Sequence, residues 1–231
     1  MQLDFSNVFA YTCFMSRIYI SELASPRLTE YLIKKGHDMV VITEGSARVA
    51  HAISSHPDVL HCHLKGGSVF HGNPDKLGPE YPKDVLYNAC STGKYFIHTL
   101  KYTAHELLAE AERLGLEMIN VPQGYAKCSI CVVDEDSVIT YDRGIAAACA
   151  LQAPALNVLL VSPGHIELPG YAAGFIGGTG GRIGNAIIFN GDLAVHPDFA
   201  LIKEFIESRG LECVWFPDIP LTDIGSIIEE K

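Results

Sequence analysis

The chain has 231 residues, 48% hydrophobic and 19% charged, with a net charge of −10. These proportions are those of a globular protein with a full core, not of a disordered segment. The acidic balance and the absence of any Lys/Arg cluster argue against nucleic acid as a partner, because phosphate binding needs a basic face. The opening Met1-Gln2-Leu3-Asp4 lacks the basic start and apolar run of a secretion signal. No stretch approaches the roughly 18 uninterrupted apolar residues of a membrane span. Seven cysteines, an odd number without framework spacing, fit free thiols in a reducing compartment, so a cytoplasmic location is expected.

In chain order, Pro26 to Lys35 reads as a helix with proline in its first turn and Gly36 as its stop, followed by a strand at Asp38 to Ile42. Val59 to Leu64 and Ser68 to His71 read as a hairpin around Gly66-Gly67 with no helix after it. Val85 to Ala89 leads through Ser91-Thr92-Gly93-Lys94 into Tyr95 to His98. A helix from Thr103 to Leu114, with Leu107, Leu108, Ala111 and Leu114 on one side, and a strand from Leu116 to Val121 complete that unit. The same order returns in Ser129 to Val133, Ser137 to Thr140, an alanine-rich helix from Gly144 to Leu151, and Asn157 to Val161. It returns again in Ala186 to Phe189, an Asn190-Gly191 turn, Asp192 to Val195, a helix marked by Phe199, Ile202, Phe205 and Ile206, and Leu211 to Phe216. Gly115-Leu116-Glu117 matches Gly210-Leu211-Glu212, and in each copy a proline lies seven residues past the glycine. Ile224 to Ile228 is a candidate strand that pairs back near the N-terminus. A unit whose sheet has one apolar face must bury it against its neighbours. About five strand–strand–helix–strand units and a closing strand therefore predict one domain over residues 1–231, closed as a ring.

Five ββαβ units around a pseudo-fivefold axis resemble the pentein fold, the β/α-propeller of guanidine-modifying enzymes. Arginine deiminase, dimethylarginine dimethylaminohydrolase and the amidinotransferases belong to it. The stretches Gln123 to Cys131, Gly174 to Gly178 and Asp223 to Ile227 are similar to an uncharacterised bacterial branch of that group. The resemblance implies an α/β propeller whose central channel binds a small polar or cationic molecule, a guanidine or an amino-acid derivative. It implies thiol-dependent hydrolase or amidinotransferase activity, with a non-catalytic binding protein on the same fold as the alternative, since a ribosomal anti-association factor shares the fold. Channel positions fall around Lys127-Cys128, Arg182 to Asn185, and Asp223 to Ser226. Characterised members carry an acidic Glu-Gly-Gly-Asp element, a central His and a late Cys at such positions; here Gln-Gly-Tyr-Ala-Lys-Cys, a glycine-rich loop and Asp-Ile-Gly-Ser stand instead.

Cys128 is the candidate nucleophile. A thiol attacks a guanidinium carbon once a neighbouring cation lowers its pKa, and Lys127 is adjacent, although neighbours on a strand face opposite ways. A small buried residue is the structural alternative. Asp223 is either a carboxylate for a cationic substrate or a turn acid satisfied by backbone amides. His165, loop-borne after Pro163-Gly164, is a further catalytic candidate. Tyr125, Lys127, Arg182, Asn185 and Ser226 are the candidate ligand contacts. Gly174 to Gly184 holds six glycines and reads as an anion-binding loop, a lid or a plain connector. It lacks the lysine–serine order of a P-loop and a strand follows it, so no cofactor is expected. Cys128 and Cys131 form a CxxC whose sulfurs diverge on a strand. His61 and His63 share a strand face with His71 across the hairpin, but such histidines commonly sit at a wet face, and no metal is expected. Oligomeric state is left open.

Overall fold

The computed structural model describes residues 16–42 and 48–231. Its strands fall into five small sheets among the described residues. In chain order the elements are β1 (Arg17–Ser21), α1 (Pro26–Lys34), β2 (Asp38–Ile42), β3 (His61–His63) and β4 (Val69–His71). β5 (Cys90–Ser91), β6 (Tyr95–His98), α2 (His105–Arg113) and β7 (Glu117–Asn120) come next. They are followed by α3 (Ala126–Ser129), β8 (Ile130–Asp134), β9 (Ser137–Thr140), α4 (Arg143–Gln152) and β10 (Asn157–Leu160). β11 (Gly180–Ile183), β12 (Ala186–Phe189), α5 (Phe199–Glu207), β13 (Glu212–Val214) and β14 (Ile228–Glu230) complete the chain.

The sheets β5-β6-β7, β8-β9-β10 and β11-β12-β13 follow one plan: an antiparallel first pair, then a helix, then a parallel third strand. The sheet β14-β1-β2 has the same plan, with the last strand of the chain taking the first place. β3 and β4 form a hairpin alone. The first strands also adjoin one another: β3 touches β14 and β5, β8 touches β5 and β11, and β11 touches β14.

The helices explain why the units stay together. Each buries an i, i+4 pair: Leu28 and Leu32 in α1, Leu107 and Ala111 in α2, Ile145 and Cys149 in α4, Ile202 and Ile206 in α5. Each pair lies in a buried cluster that takes in strands of its own unit and of the preceding one. Leu28 and Leu32 share a cluster with Ile183 and Ile188, Leu107 with Cys62 and Leu64, Ile145 with Cys90 and Ile97, and Ile202 with Cys131 and Val133. At about 1.5–3 kcal/mol for each fully buried large aliphatic side chain, these shared clusters tie each unit to the one before it. Three of the helices stop at a left-handed glycine, Gly36, Gly115 and Gly210, with φ of +80°, +68° and +73°. No helix among the described residues is long and apolar enough to cross a membrane.

Three expectations are corrected. Val85 to Ala89 is irregular, and the strand begins at Cys90. Asp192 to Val195 is not a strand: Leu193 to Val195 form a 3₁₀ turn capped by the Asp192 carboxylate. The Asp192 amide donates to the Ile219 carbonyl at 2.8 Å and not back to Phe189, so the expected turn does not form. The partner of β12 is instead β11, inside the glycine-rich stretch. That stretch is neither a lid nor a loose connector. Ile176 to Thr179 make a buried 3₁₀ turn, and a Cβ on Gly177 would lie 2.3 Å from the Ile130 carbonyl, one on Gly181 1.9 Å from that of Ile227. The glycines let three backbones approach closely.

Candidate active site

Two residues before β5, β8, β11 and β14 stand Asn88, Cys128, Gly178 and Ser226, and three before β3 stands Asp58. Four of these side chains, Asp58, Asn88, Cys128 and Ser226, make one hydrogen-bonded group. Cys128 lies in α3, a single helical turn and not the strand expected, and the amides of Lys127 and Cys128 donate to Asn88 Oδ1 at 3.0 and 3.3 Å. Asn88 Nδ2 donates to Cys128 Sγ at 3.3 Å and to the Asp58 carbonyl at 3.2 Å. The thiol donates to Asp58 Oδ2 at 3.0 Å, and the Ser226 hydroxyl donates to the same oxygen at 2.8 Å. Lys127 Nζ donates to Ser226 Oγ at 2.8 Å. Lys127, Ser226, Asp58 and Cys128 thus form a chain through the buried centre. Ser226 holds a φ of +74°, a conformation that costs a non-glycine residue energy and that the surrounding contacts must enforce.

Asp223 and His56 complete the group. Asp223 accepts from the amides of Phe175 at 2.9 Å and Gly225 at 3.0 Å. Burial, joined by the Asp58 charge and opposed by His56, pushes its pKa up to about 6. His56 Nδ1 lies 3.9 Å from Asp223 Oδ1, while His56 Nε2 and Asp58 Oδ1 are buried without a hydrogen-bond partner among the described residues. His56, Asp58, Asn88, Cys128 and Asp223 open on one cavity of about 410 Å³, walled by Ile53, Val59, Leu168, Tyr171, Ala172, Ala173 and Phe175. The Phe175 ring is stacked between Tyr125 and Tyr141, with centroids 6.2 and 5.8 Å away.

The electrostatics reverse the expectation for the thiol. Burial first, then the Asp58 and Asp223 charges, hold the Cys128 pKa well above its ordinary value. Lys127 does not touch the sulfur; it reaches it only through Ser226 and Asp58. It faces a second cavity of about 390 Å³ that shares no lining residue with the first and is shared by His63, Arg182 and Glu229. Burial, with the Lys127 charge next, pushes the His63 pKa down to about 4.

A family model matches residues 68–228, well over half of the sequence. The chain belongs to DUF6873, a family of unknown function. No curated protein and no solved structure matches it. The DUF6873 span contains Asn88, Cys128, Asp223 and Ser226, whereas His56 and Asp58 precede it.

Of the residues singled out in this DUF6873 sequence, Cys128, Asp223, Ser226 and Tyr125 meet at or beside the first cavity. Tyr125 donates its hydroxyl to Asp84. The others are not brought there. His165 is exposed, with its ring 6.0 Å from that of His196. Arg182 is exposed and donates to the carbonyls of Val133 and Gly184, both at 3.1 Å. Asn185 is exposed and donates to the Gly210 carbonyl at 3.3 Å. His61 and His71 pair at 3.0 Å, apart from His63, and Cys131 is buried among apolar side chains. Sequence reasoning missed Asp58, His56 and Asn88. His56, Asp58 and Cys128 also offer N, O and S donors within 4.8 Å of one another, a set that suits a zinc-like cation, although such an ion would have to displace the proton the thiol shares with Asp58.

Proposed function

We propose that this protein is a pentein-like β/α-propeller that binds a guanidine or amino-acid derivative in its central cavity and acts on it through Cys128. The fold reading is supported by the five sheets and by first strands that adjoin in the cyclic order β14, β3, β5, β8, β11. One observation carries the chemical reading: a thiol, an imidazole with a free nitrogen and two carboxylates, delivered from the segments ahead of β3, β8 and β14, converge on one cavity.

The raised thiol pKa is part of this reading. Both carboxylates that suppress ionisation of Cys128 are the natural partners of a guanidinium, and a cation seated on them cancels their effect on the sulfur. Asp58 takes the thiol proton along the bond it already accepts. The sulfur then bonds to the guanidinium carbon, and the bond to the leaving amine breaks as His56 Nε2 delivers a proton to that nitrogen. Water cleaves the C–S bond, leaving a urea and restoring the thiol; guanidinium plus water gives urea plus ammonium. The six free cysteines among the described residues fit a reducing compartment, and we assign the protein to the cytoplasm on that ground.

Incubation with a panel of guanidines, assayed for ammonia and ureido products, tests the proposal. Turnover abolished by Cys128→Ala is expected. Thermal stabilisation by a guanidine without turnover would favour the second reading, a non-catalytic binding protein, which the suppressed thiol also suits. Neither turnover nor stabilisation would end both.

A further inference from the structure

The cavity says what the rest of its ligand is like. Its polar groups, His56, Asp58, Asn88, Cys128 and Asp223, lie together, and the remaining wall is aliphatic and aromatic. A ligand carboxylate buried against that wall would need a cation or several free N–H donors, since an unpaired buried charge costs far more than the contacts around it return. No lysine or arginine lines the cavity among the described residues, and its imidazole, His56, sits within the polar cluster with Nδ1 3.9 Å from Asp223 Oδ1. Lys127 and Arg182 face the other cavity. The amides of Phe175 and Gly225 are already spent on Asp223.

Resting on the reading of a cation held by Asp58 and Asp223, we propose that the ligand of the Cys128 cavity is a small cation with an apolar tail and no carboxylate, of the N-alkylguanidine or alkylamidine class and not an amino acid. The head meets Asp58 and Asp223, and the tail lies against Phe175, Leu168 and Tyr171. A volume of about 410 Å³ accommodates a head and a short chain.

Calorimetric titration of the full chain at pH 7.5 with N-butylguanidine, arginine and N-butylurea tests this. Butylguanidine is expected to bind at least about tenfold more tightly than arginine, which brings a carboxylate, and than butylurea, which lacks the charge. Arginine binding as well as or better than butylguanidine would overturn the inference while leaving the cation site standing. Butylurea binding equally well, or no guanidine binding to folded protein, would overturn the cation reading and the inference with it. Ala172 is exposed on the cavity wall, so Ala172→Arg leaves the core intact and supplies the missing cation. It is expected to narrow the gap between butylguanidine and arginine by about threefold or more, and an unchanged gap would overturn the placement of the tail.

Discussion

Cys128 Sγ donates a hydrogen bond to Asp58 Oδ2 at 3.0 Å across 70 residues of sequence. The contact ties the protonation of the sulfur to the charge of the carboxylate. Asp58 stabilises the thiol and destabilises the thiolate, and both effects raise the pKa. Asp58→Asn is therefore expected to lower the Cys128 pKa and to speed alkylation by iodoacetamide at a fixed pH. The gain in rate is about tenfold for every ~1.4 kcal/mol of repulsion removed from the thiolate. The check is the alkylation rate against pH in wild type and variant, with Cys128→Ala as the background. Superimposable profiles would break the assigned link.

Asp223 sets a pH dependence with a definite sign. Its folded pKa of about 6, against an ordinary value of 3.8, means the native state keeps a proton that the unfolded chain has already released. Below 3.8 both states are protonated and Asp223 contributes nothing; as pH rises from there to about 6 its contribution turns against folding. The full cost above that range is about 3 kcal/mol. The urea midpoint of wild type relative to Asp223→Asn should fall across this window and level off above it. Cation binding should run the opposite way, strengthening as Asp223 ionises. A wild-type-to-variant difference that does not change with pH would refute the assignment.

The sequence revealed the repeat plan because its marks are local: the helix-stopping glycines at Gly36, Gly115 and Gly210, and the apolar pairs such as Leu28 with Leu32 and Ile202 with Ile206. Cys128, Asp223 and Ser226 were also legible, standing just ahead of β8 and β14. Asp58 and Asn88 were not, although they stand three and two residues ahead of β3 and β5. Their segments are irregular and mask the register: Pro57 to Val59 form a 3₁₀ turn, and Val85 to Ala89 only resemble a strand. His165 misled because a loop histidine after Pro-Gly carries no mark of which way it faces. Lys127 misled because sequence adjacency to Cys128 is not spatial contact when the two side chains leave one helical turn toward different cavities.

Gly178 separates a backbone requirement from a site requirement. A Cβ there would fall 1.9 Å from Asp223 Oδ1, whereas one on Gly36 meets open space at a φ of +80°. Gly36→Ala should cost roughly 1–2 kcal/mol from the left-handed backbone alone. Gly178→Ala should cost about 1–3 kcal/mol through overpacking, and must also move the carboxylate. Stability alone barely distinguishes them, but ligand binding does. Gly178→Ala should weaken guanidinium binding, and Gly36→Ala should leave it unchanged. Equal binding by the two variants would show that Asp223 is not a ligand contact.

Lys127 is a buried ammonium whose hydrogen bonds run to Ser226 and the Gly177 carbonyl, and its charge is felt on the side away from the thiol. His63 reports it. Burial is the larger cause of its pKa near 4 and Lys127 the next, so Lys127→Met should raise the His63 pKa while burial keeps it below 6.5. Because the folded value is depressed, the unfolded chain gains a proton first as pH falls, and His63 costs stability progressively from 6.5 down to about 4. That trend is opposite to the one from Asp223, so the two variants pull the acid limb of the stability curve in different directions. Lys127→Met should flatten the loss toward low pH, and Asp223→Asn should steepen it. Imidazole titration by NMR in Lys127→Met, run beside the Cys128 alkylation profile, tests the separation. Movement of His63 with an unmoved thiol is the expected pair, and a shifted thiol with an unmoved His63 would place the influence of Lys127 on the other cavity.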